Sequence, residues 1–133
     1  MFKRKIYNKM LEWKQESDGR TALLIEGARR IGKSTVVREF AKNEYDSYIL
    51  IDFAIASKDV RTLFEDVSDL NYLFLQLQLQ YKVDLHERKS VIIFDEVQLC
   101  PMARQAIKAL VEDHRYDYIE TGSLISIRKN VKD

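Results

Sequence analysis

The chain is poor in the residues that form cross-links, sharp breaks and membrane spans. Its 133 residues include one cysteine, one proline and four glycines. Because Cys100 stands alone, an internal disulfide and a cysteine metal cluster are excluded, and a reducing compartment is favoured. No apolar run approaches the roughly 20 residues of a membrane-spanning helix, and the N-terminus lacks the apolar core of a secretory signal. The sequence therefore predicts a cytoplasmic protein that does not bind membranes.

The chain also lacks a large net charge of either sign. The chain has 22 basic and 21 acidic residues, a net charge of +1, and no basic face with interleaved aromatics can be read from it. A nucleic-acid module is therefore not supported, although a salt-dependent affinity for duplex DNA would revive that reading. The content of 46% hydrophobic and 32% charged residues is typical of one globular domain.

Short apolar runs alternate with helical patterns along the chain. The runs predict buried strands at 22–25, 48–53 and 91–94, and a fourth strand around Tyr118 and Ile119 that ends at Thr121-Gly122-Ser123. Apolar residues at helical spacing predict helices at 2–16, 33–41 and about 60–67, and a further helix from Pro101, a residue favoured at the first helical position, to Val111.

The segment 70–81 fits two patterns. Its leucines at 73, 75, 77 and 79 alternate as in a strand, whereas its apolar residues at 70, 73, 74, 77 and 81 share one face of a helix. Because leucine and glutamine favour helices, we predict a helix. Strands that alternate with helices predict a three-layer α/β fold with a mostly parallel sheet. Ligands of such sheets bind beyond the carboxyl ends of the strands.

One segment matches a phosphate-binding motif in full. Residues 27–34, GARRIGKS, fit G-x-x-x-x-G-K-[ST] and lie between a predicted strand and a predicted helix, as the motif requires. The glycines let backbone N–H groups turn inward around an anion, Lys33 would reach the β- and γ-phosphates, and the Ser34 hydroxyl would bind Mg²⁺. The sequence thus predicts ATP or ADP with Mg²⁺ as ligands, and the expected nucleotide-binding residues are Gly27, Arg30, Gly32, Lys33, Ser34 and Thr35.

An acidic pair follows the third predicted strand. Residues 91–96, VIIFDE, have the form of a Walker B segment, in which a buried strand brings Asp95 to its carboxyl end. Since this strand and the P-loop strand belong to one sheet, Asp95 could hold Mg²⁺ through water. Glu96 would orient and deprotonate the attacking water, so Glu96 and Lys33 are the predicted catalytic residues. The alternative is an ordinary charged loop between a strand and a helix.

Hydroxyl side chains follow the fourth predicted strand at the same edge of the sheet. Thr121 and Ser123 are candidate sensors of the γ-phosphate, although a plain turn explains them equally well. Gln98, two residues beyond Glu96, is a weaker candidate for the site.

These motifs resemble the AAA-type ATPase domain of bacterial and archaeal proteins that carry a C-terminal domain of unknown function, DUF4143. The similar stretches are LLIEGARRIGKST, FAKNEYDSYILIDF, VIIFDEVQ and YIETGSLIS, which together extend over nearly the whole chain. The resemblance implies an AAA-like core with strand order 5-1-4-3-2 and magnesium-dependent ATP binding, in a family whose cellular role is not established.

The family pattern continues beyond this chain. A fifth strand, a helical lid and its nucleotide-sensing arginine would follow, and residues 124–133 are too few to form them. The resemblance therefore predicts that residues 1–133 are one P-loop ATPase domain, incomplete and truncated before the fifth strand and the lid. The strand at 22–25 would then be an edge strand, which invites pairing. We expect either self-association into a homo-oligomer or cover by the tail from Leu124.

Two functions remain open on the sequence. The first is an ATP hydrolase, which the adjacent acids favour; the second is a nucleotide-gated switch or scaffold that binds ATP with negligible turnover. A small-molecule kinase also stays open, but no acceptor pocket can be read, and the chain lacks the N-K-x-D tetrad that would indicate GTP. No arginine finger can be assigned, and Arg104, Arg115 and Arg128 are only candidates. Slow turnover is therefore expected of this chain.

Overall fold

Strands and helices alternate along the two segments that the computed structural model describes, residues 2–27 and 32–123. The segment 70–81 is a helix, as predicted, and the Asp69 carboxylate caps it by accepting from the Tyr72 N–H. In chain order the elements are α1 (Phe2–Ser17), β1 (Leu23–Gly27), α2 (Lys33–Glu44), β2 (Ser47–Asp52), α3 (Lys58–Leu63), α4 (Leu70–Tyr81), β3 (Ser90–Asp95), a 3₁₀ turn (Val97–Leu99), α5 (Pro101–Asp113) and β4 (Asp117–Ser123).

The four described strands form one parallel sheet in the order β1-β4-β3-β2. This confirms the predicted α/β fold class and AAA-like strand order, with no fifth strand among the described residues. β1 is the end strand of that sheet, in which it pairs with β4 alone. The tail from Leu124, one of the two predicted covers for this edge, lies outside the described residues.

Helices cover both faces of the sheet because alternate strand residues point to opposite sides. On one face, Val37 and Phe40 of α2 and Met10 of α1 pack on β1, β3 and β4. On the other face, α3, α4 and α5 enclose a core rich in phenylalanine, in which the rings of Phe53, Phe64 and Phe94 meet edge to face. Cys100 is buried in this second core.

One predicted boundary was wrong, and so was the alternative of a plain turn at the end of the fourth strand. The helix expected to reach Val67 ends at Leu63, because Phe64 and Val67 reach the same core from the loop that follows. The segment from Thr121 to Ser123 is not a turn but the last part of β4, where it continues the ladder with β1 as far as the Gly27–Ser123 pair. Other element ends agree with the prediction to within three residues.

A buried carboxylate forms the floor of a groove beside the β1 edge. Glu120 is 9% exposed, and its Oε1 atom has no hydrogen-bond partner among the described residues. The groove, about 450 Å³, is also lined by Arg20, Arg104, Lys108 and Glu112. Burial raises the pKa of Glu120, and the positive charge of Arg104 opposes that rise.

Ionised Glu120 should therefore destabilise the fold at neutral pH. A raised native pKa means that the native state bears the cost of ionisation as the pH rises above about 4.3, the value for an unfolded chain. We expect Glu120→Gln to increase the free energy of unfolding at pH 7, with the gain fading as the pH approaches 4. Urea denaturation at several pH values measures this. Glu112→Gln, on the exposed side of the same groove, is the control, and equal gains at pH 4 and 7 would contradict the explanation.

Candidate functional site

The P-loop motif connects the end of β1 to the start of α2. Gly32 precedes the helix with φ of 75°, a left-handed conformation that favours glycine, and no described side chain caps the helix at this position. The N–H groups of the first turn can therefore bind an anion. Lys33 is 2% exposed, and its Nζ donates to the Gly27 carbonyl at 3.3 Å. Arg30 lies outside the described residues.

Three elements bring oxygen atoms together at the carboxyl end of β3. Asp95 ends this buried strand, and Ser34 of α2 donates its hydroxyl to both carboxylate oxygens of Asp95 at 3.0 Å. Thr121 of β4 donates to Oδ1 of the same carboxylate at 2.6 Å. The sequence-predicted metal residues are thus neighbours, although 61 positions separate them in the chain.

The donor set at this point fits Mg²⁺. The described residues contain no group of three or more His, Cys, Asp or Glu side chains that could hold a metal. A single carboxylate with a hydroxyl, however, matches Mg²⁺, which keeps several waters and completes its shell with substrate phosphates. Ser34 and Asp95 are the residues that could hold the ion.

Glu96 follows Asp95 in an unusual backbone conformation. Its φ of 56° and ψ of 51° lie in the left-handed region, and its N–H donates to Thr121 Oγ1 at 2.9 Å. Oε2 of its carboxylate lies 3.8 Å from Nζ of Lys33. In this structure the two predicted catalytic residues therefore form an ion pair with each other.

Gln98 also belongs to this cluster, although the sequence pattern indicated only a weak role for it. Its Nε2 donates to Oε1 of Glu96 at 2.7 Å, so Glu96 has a partner on each carboxylate oxygen. Its own Oε1 is buried without a partner in the described part of the chain, and lies 3.4 Å from where a side chain at Gly122 would begin. The available signal was the position of Gln98 two residues after the acidic pair, in FDEVQ.

The remaining predicted residues differ in their placement. Ser123 is fully buried, pairs in register with Gly27, and its hydroxyl has no partner among residues 2–27 and 32–123. Thr35 is exposed and lines an open groove on the outer side of α2 next to Ser34. Thr121 and Ser123 therefore lie near the P-loop strand, whereas Thr35 lies at the rim of the cluster.

Arg61 of α3 holds the loops beside the site through backbone carbonyl groups. Its guanidinium donates to the carbonyls of Phe53 and Ala56, which follow β2, and to that of Leu99 in the 3₁₀ turn. The last bond, at 3.0 Å, joins the loop after β2 to the turn that carries Gln98. Arg61 therefore supports the backbone next to Glu96.

A parallel sheet in this order, with a glycine-bearing loop between β1 and α2 and an acidic residue at the end of β3, defines the core of a P-loop NTPase. A sequence model of a family described as an AAA domain matches residues 19–132. The chain therefore belongs to the AAA domain family. The match does not include a DUF4143 domain, which stays a prediction.

One solved structure shows how far the likeness in fold extends. The structure of C. elegans PCH-2 is similar to this chain with a TM-score of 0.50 and 14% sequence identity, over 90% of this chain. This chain spans 36% of the length of that protein, so the likeness shows the fold alone. No curated protein matches the chain. None of the helices in the described part has the length and apolar character needed to cross a membrane.

Proposed function

We propose that the chain binds ATP together with Mg²⁺ at the carboxyl ends of β1, β3 and β4. The observation that carries this proposal is the meeting of Ser34, Asp95 and Thr121 beside the buried ammonium of Lys33. A cation, a metal-binding carboxylate and an uncapped helix start are the three features that recognise a nucleotide phosphate with its metal. Membership of the AAA domain family supports the same conclusion.

Each residue has a distinct role in this proposal. The N–H groups at the start of α2 bind phosphate oxygens, and Lys33 exchanges its present partners for the β- and γ-phosphates. Ser34 and Asp95 hold Mg²⁺, which would neutralise phosphate charge when bound. Thr121 donates to Asp95 and fixes the direction of its carboxylate. Ser123 is buried beside Gly27 and offers its hydroxyl, which no described residue engages, to the terminal phosphate.

We further propose that the protein hydrolyses ATP, with Glu96 as the general base. Gln98 and Thr121 hold Glu96 directly after the Mg²⁺ residue Asp95, where a carboxylate can accept a proton from water. The alternative is a nucleotide-gated switch with negligible turnover. The ion pair between Lys33 and Glu96 favours that alternative, because phosphate binding would break the pair and so change the position of Glu96.

Removing the charge of Asp95 should remove the gain in ATP affinity that Mg²⁺ provides. Asp95→Asn keeps an oxygen for Ser34 and Thr121 but loses one charge-assisted interaction, which is worth about 1.5–3 kcal/mol. We expect ATP affinity in Mg²⁺ to fall about 10- to 100-fold, and affinity in excess EDTA to change little. Calorimetric titrations in the two buffers measure both affinities.

Asp52→Asn is the matched control for this experiment. Asp52 ends β2, lies opposite Asp95 in register, and has no described hydrogen bond to the site. Its replacement should leave the effect of Mg²⁺ on ATP affinity intact. If Asp95→Asn retains the full gain from Mg²⁺, the proposed metal site is wrong.

A further inference from the structure

Helix α4 is apolar on two opposite sides. None of its twelve residues, LNYLFLQLQLQY, is charged, in a chain that is 32% charged. Leu73, Phe74 and Leu77 are buried in the core, on the side that packs against the sheet. The opposite side exposes three large side chains, Tyr72 (55%), Leu75 (52%) and Leu79 (62%).

The exposed side chains form one continuous stripe along the helix. Positions 72, 75 and 79 follow the spacing i, i+3, i+7, which places them on a single face. Most surface helices carry charge on the face away from the core, and a helix that is apolar all round is normally covered on both sides. Ile55, 81% exposed, lines a separate groove together with Gln80 and Tyr81 at the end of α4.

We infer that this stripe binds α4 of a second copy of the chain, with the two helices antiparallel across a twofold axis. If the axis passes between Leu75 and Gln76, Tyr72 packs on Leu79 of the partner subunit, and the converse contact forms by symmetry. A surface of this kind is self-complementary, so two copies satisfy it and no free stripe remains.

The charges at the two ends of α4 select the antiparallel arrangement. Asp69 caps the start of the helix and Lys82 follows its end, and both side chains are exposed. The antiparallel register places Asp69 opposite Lys82 of the partner subunit, and the twofold axis repeats this contact at the other end of the helix pair. A parallel pair would instead bring like charges together at both ends and would align the two helix dipoles unfavourably.

The size of the stripe predicts a weak dimer. A stable interface buries about 800 Å² on each partner, which is more than one helix of three turns offers. We therefore expect a rapidly exchanging dimer with a dissociation constant on the order of 100 µM. Because the stripe includes no residue of the nucleotide site, this inference does not depend on the proposed function.

Sedimentation equilibrium over a wide concentration range tests whether this stripe forms a dimer. We expect a monomer–dimer equilibrium that Leu75→Lys weakens at least about tenfold, since it buries a charge at the centre of the interface. Leu24→Lys is the control: Leu24 is 37% exposed on the end strand β1, the rival site of association. A monomer at every concentration, a larger assembly, or loss of the dimer in Leu24→Lys alone would overturn the inference.

Single cysteines test the register. The natural thiol of Cys100 is buried, so cysteines introduced as Tyr72→Cys and Leu79→Cys can be crosslinked selectively in a glutathione buffer. When equal amounts of the two variants are mixed, we expect the disulfide between positions 72 and 79 to exceed the share that random pairing of the two thiols gives. Predominance of the homodisulfides, or the yields of random pairing, would overturn the antiparallel arrangement. ATP binding by each variant should be unchanged.

Discussion

Lys33→Ala is expected to abolish most ATP binding, because the phosphates lose their buried cationic partner. Lys33 is 2% exposed at the start of α2, where no solvent cation can replace it easily. A charge-assisted hydrogen bond is worth about 1.5–3 kcal/mol, and Lys33 would contact two phosphates. We therefore expect affinity to fall at least about 100-fold in a calorimetric titration with ATP and Mg²⁺.

The control for this variant lies on the same helix. Lys42 is exposed in the last turn of α2, so Lys42→Ala removes the same charge without touching the site. Lys33→Ala also leaves Glu96 without its ion-pair partner, so circular dichroism and thermal unfolding should confirm that the variant is folded. Equal affinity of a folded Lys33→Ala protein and the wild type would refute the P-loop assignment.

Glu96→Gln is expected to stop ATP hydrolysis while ATP binding survives. A positioned general base contributes about 10²- to 10⁴-fold in rate, and the amide cannot accept the proton. Binding should persist or strengthen, because the uncharged amide in this variant would no longer compete with the phosphates for Lys33. Single-turnover release of phosphate, with protein in excess over ATP, measures the rate even when turnover is slow.

Slow turnover is expected of this chain in any case. An arginine finger contributes about 10³ to 10⁵ in rate where one is used, and none can be assigned here. Glu112→Gln on the exposed side of α5 is the matched control for Glu96→Gln. Equal rates of release by wild type and Glu96→Gln would exclude Glu96 as the base, and binding without release by either protein would support the nucleotide-gated switch.

The arrangement of strands and motifs could be predicted because it is encoded locally. An apolar run before Gly27 and another before Asp95 each predicted a strand whose carboxyl end carries a motif residue. The predicted burial is correct for β3, whereas β1 is partly exposed at the end of the sheet. In a parallel sheet such ends meet at one edge, so the proximity of Ser34 and Asp95 followed from topology alone. Helix α4 followed from the helical preference of leucine and glutamine.

The side-chain pairs within the site could not be predicted. The contact of Gln98 with Glu96 depends on a left-handed backbone at Glu96, which propensity does not favour for glutamate. The ion pair between Lys33 and Glu96 depends on how closely α2 approaches β3. Helix α3 was predicted too long because Val67 packs on the core from a loop, and the hydrophobic pattern does not distinguish a loop from a helical turn.

The three hydrogen bonds from Arg61 to backbone carbonyl groups hold one side of the site and not the other. They link the segment after β2 to the turn after Glu96, so a shift of either stretch alone would strain or break these hydrogen bonds. Among the described residues, neither β1 nor α2 is tied to Arg61 in this way. If nucleotide displaces Glu96, as proposed, the bond from Arg61 to Leu99 connects the displaced turn to α3, on the face of the sheet opposite α1 and α2. A ligand-driven change in shape would appear first on that face.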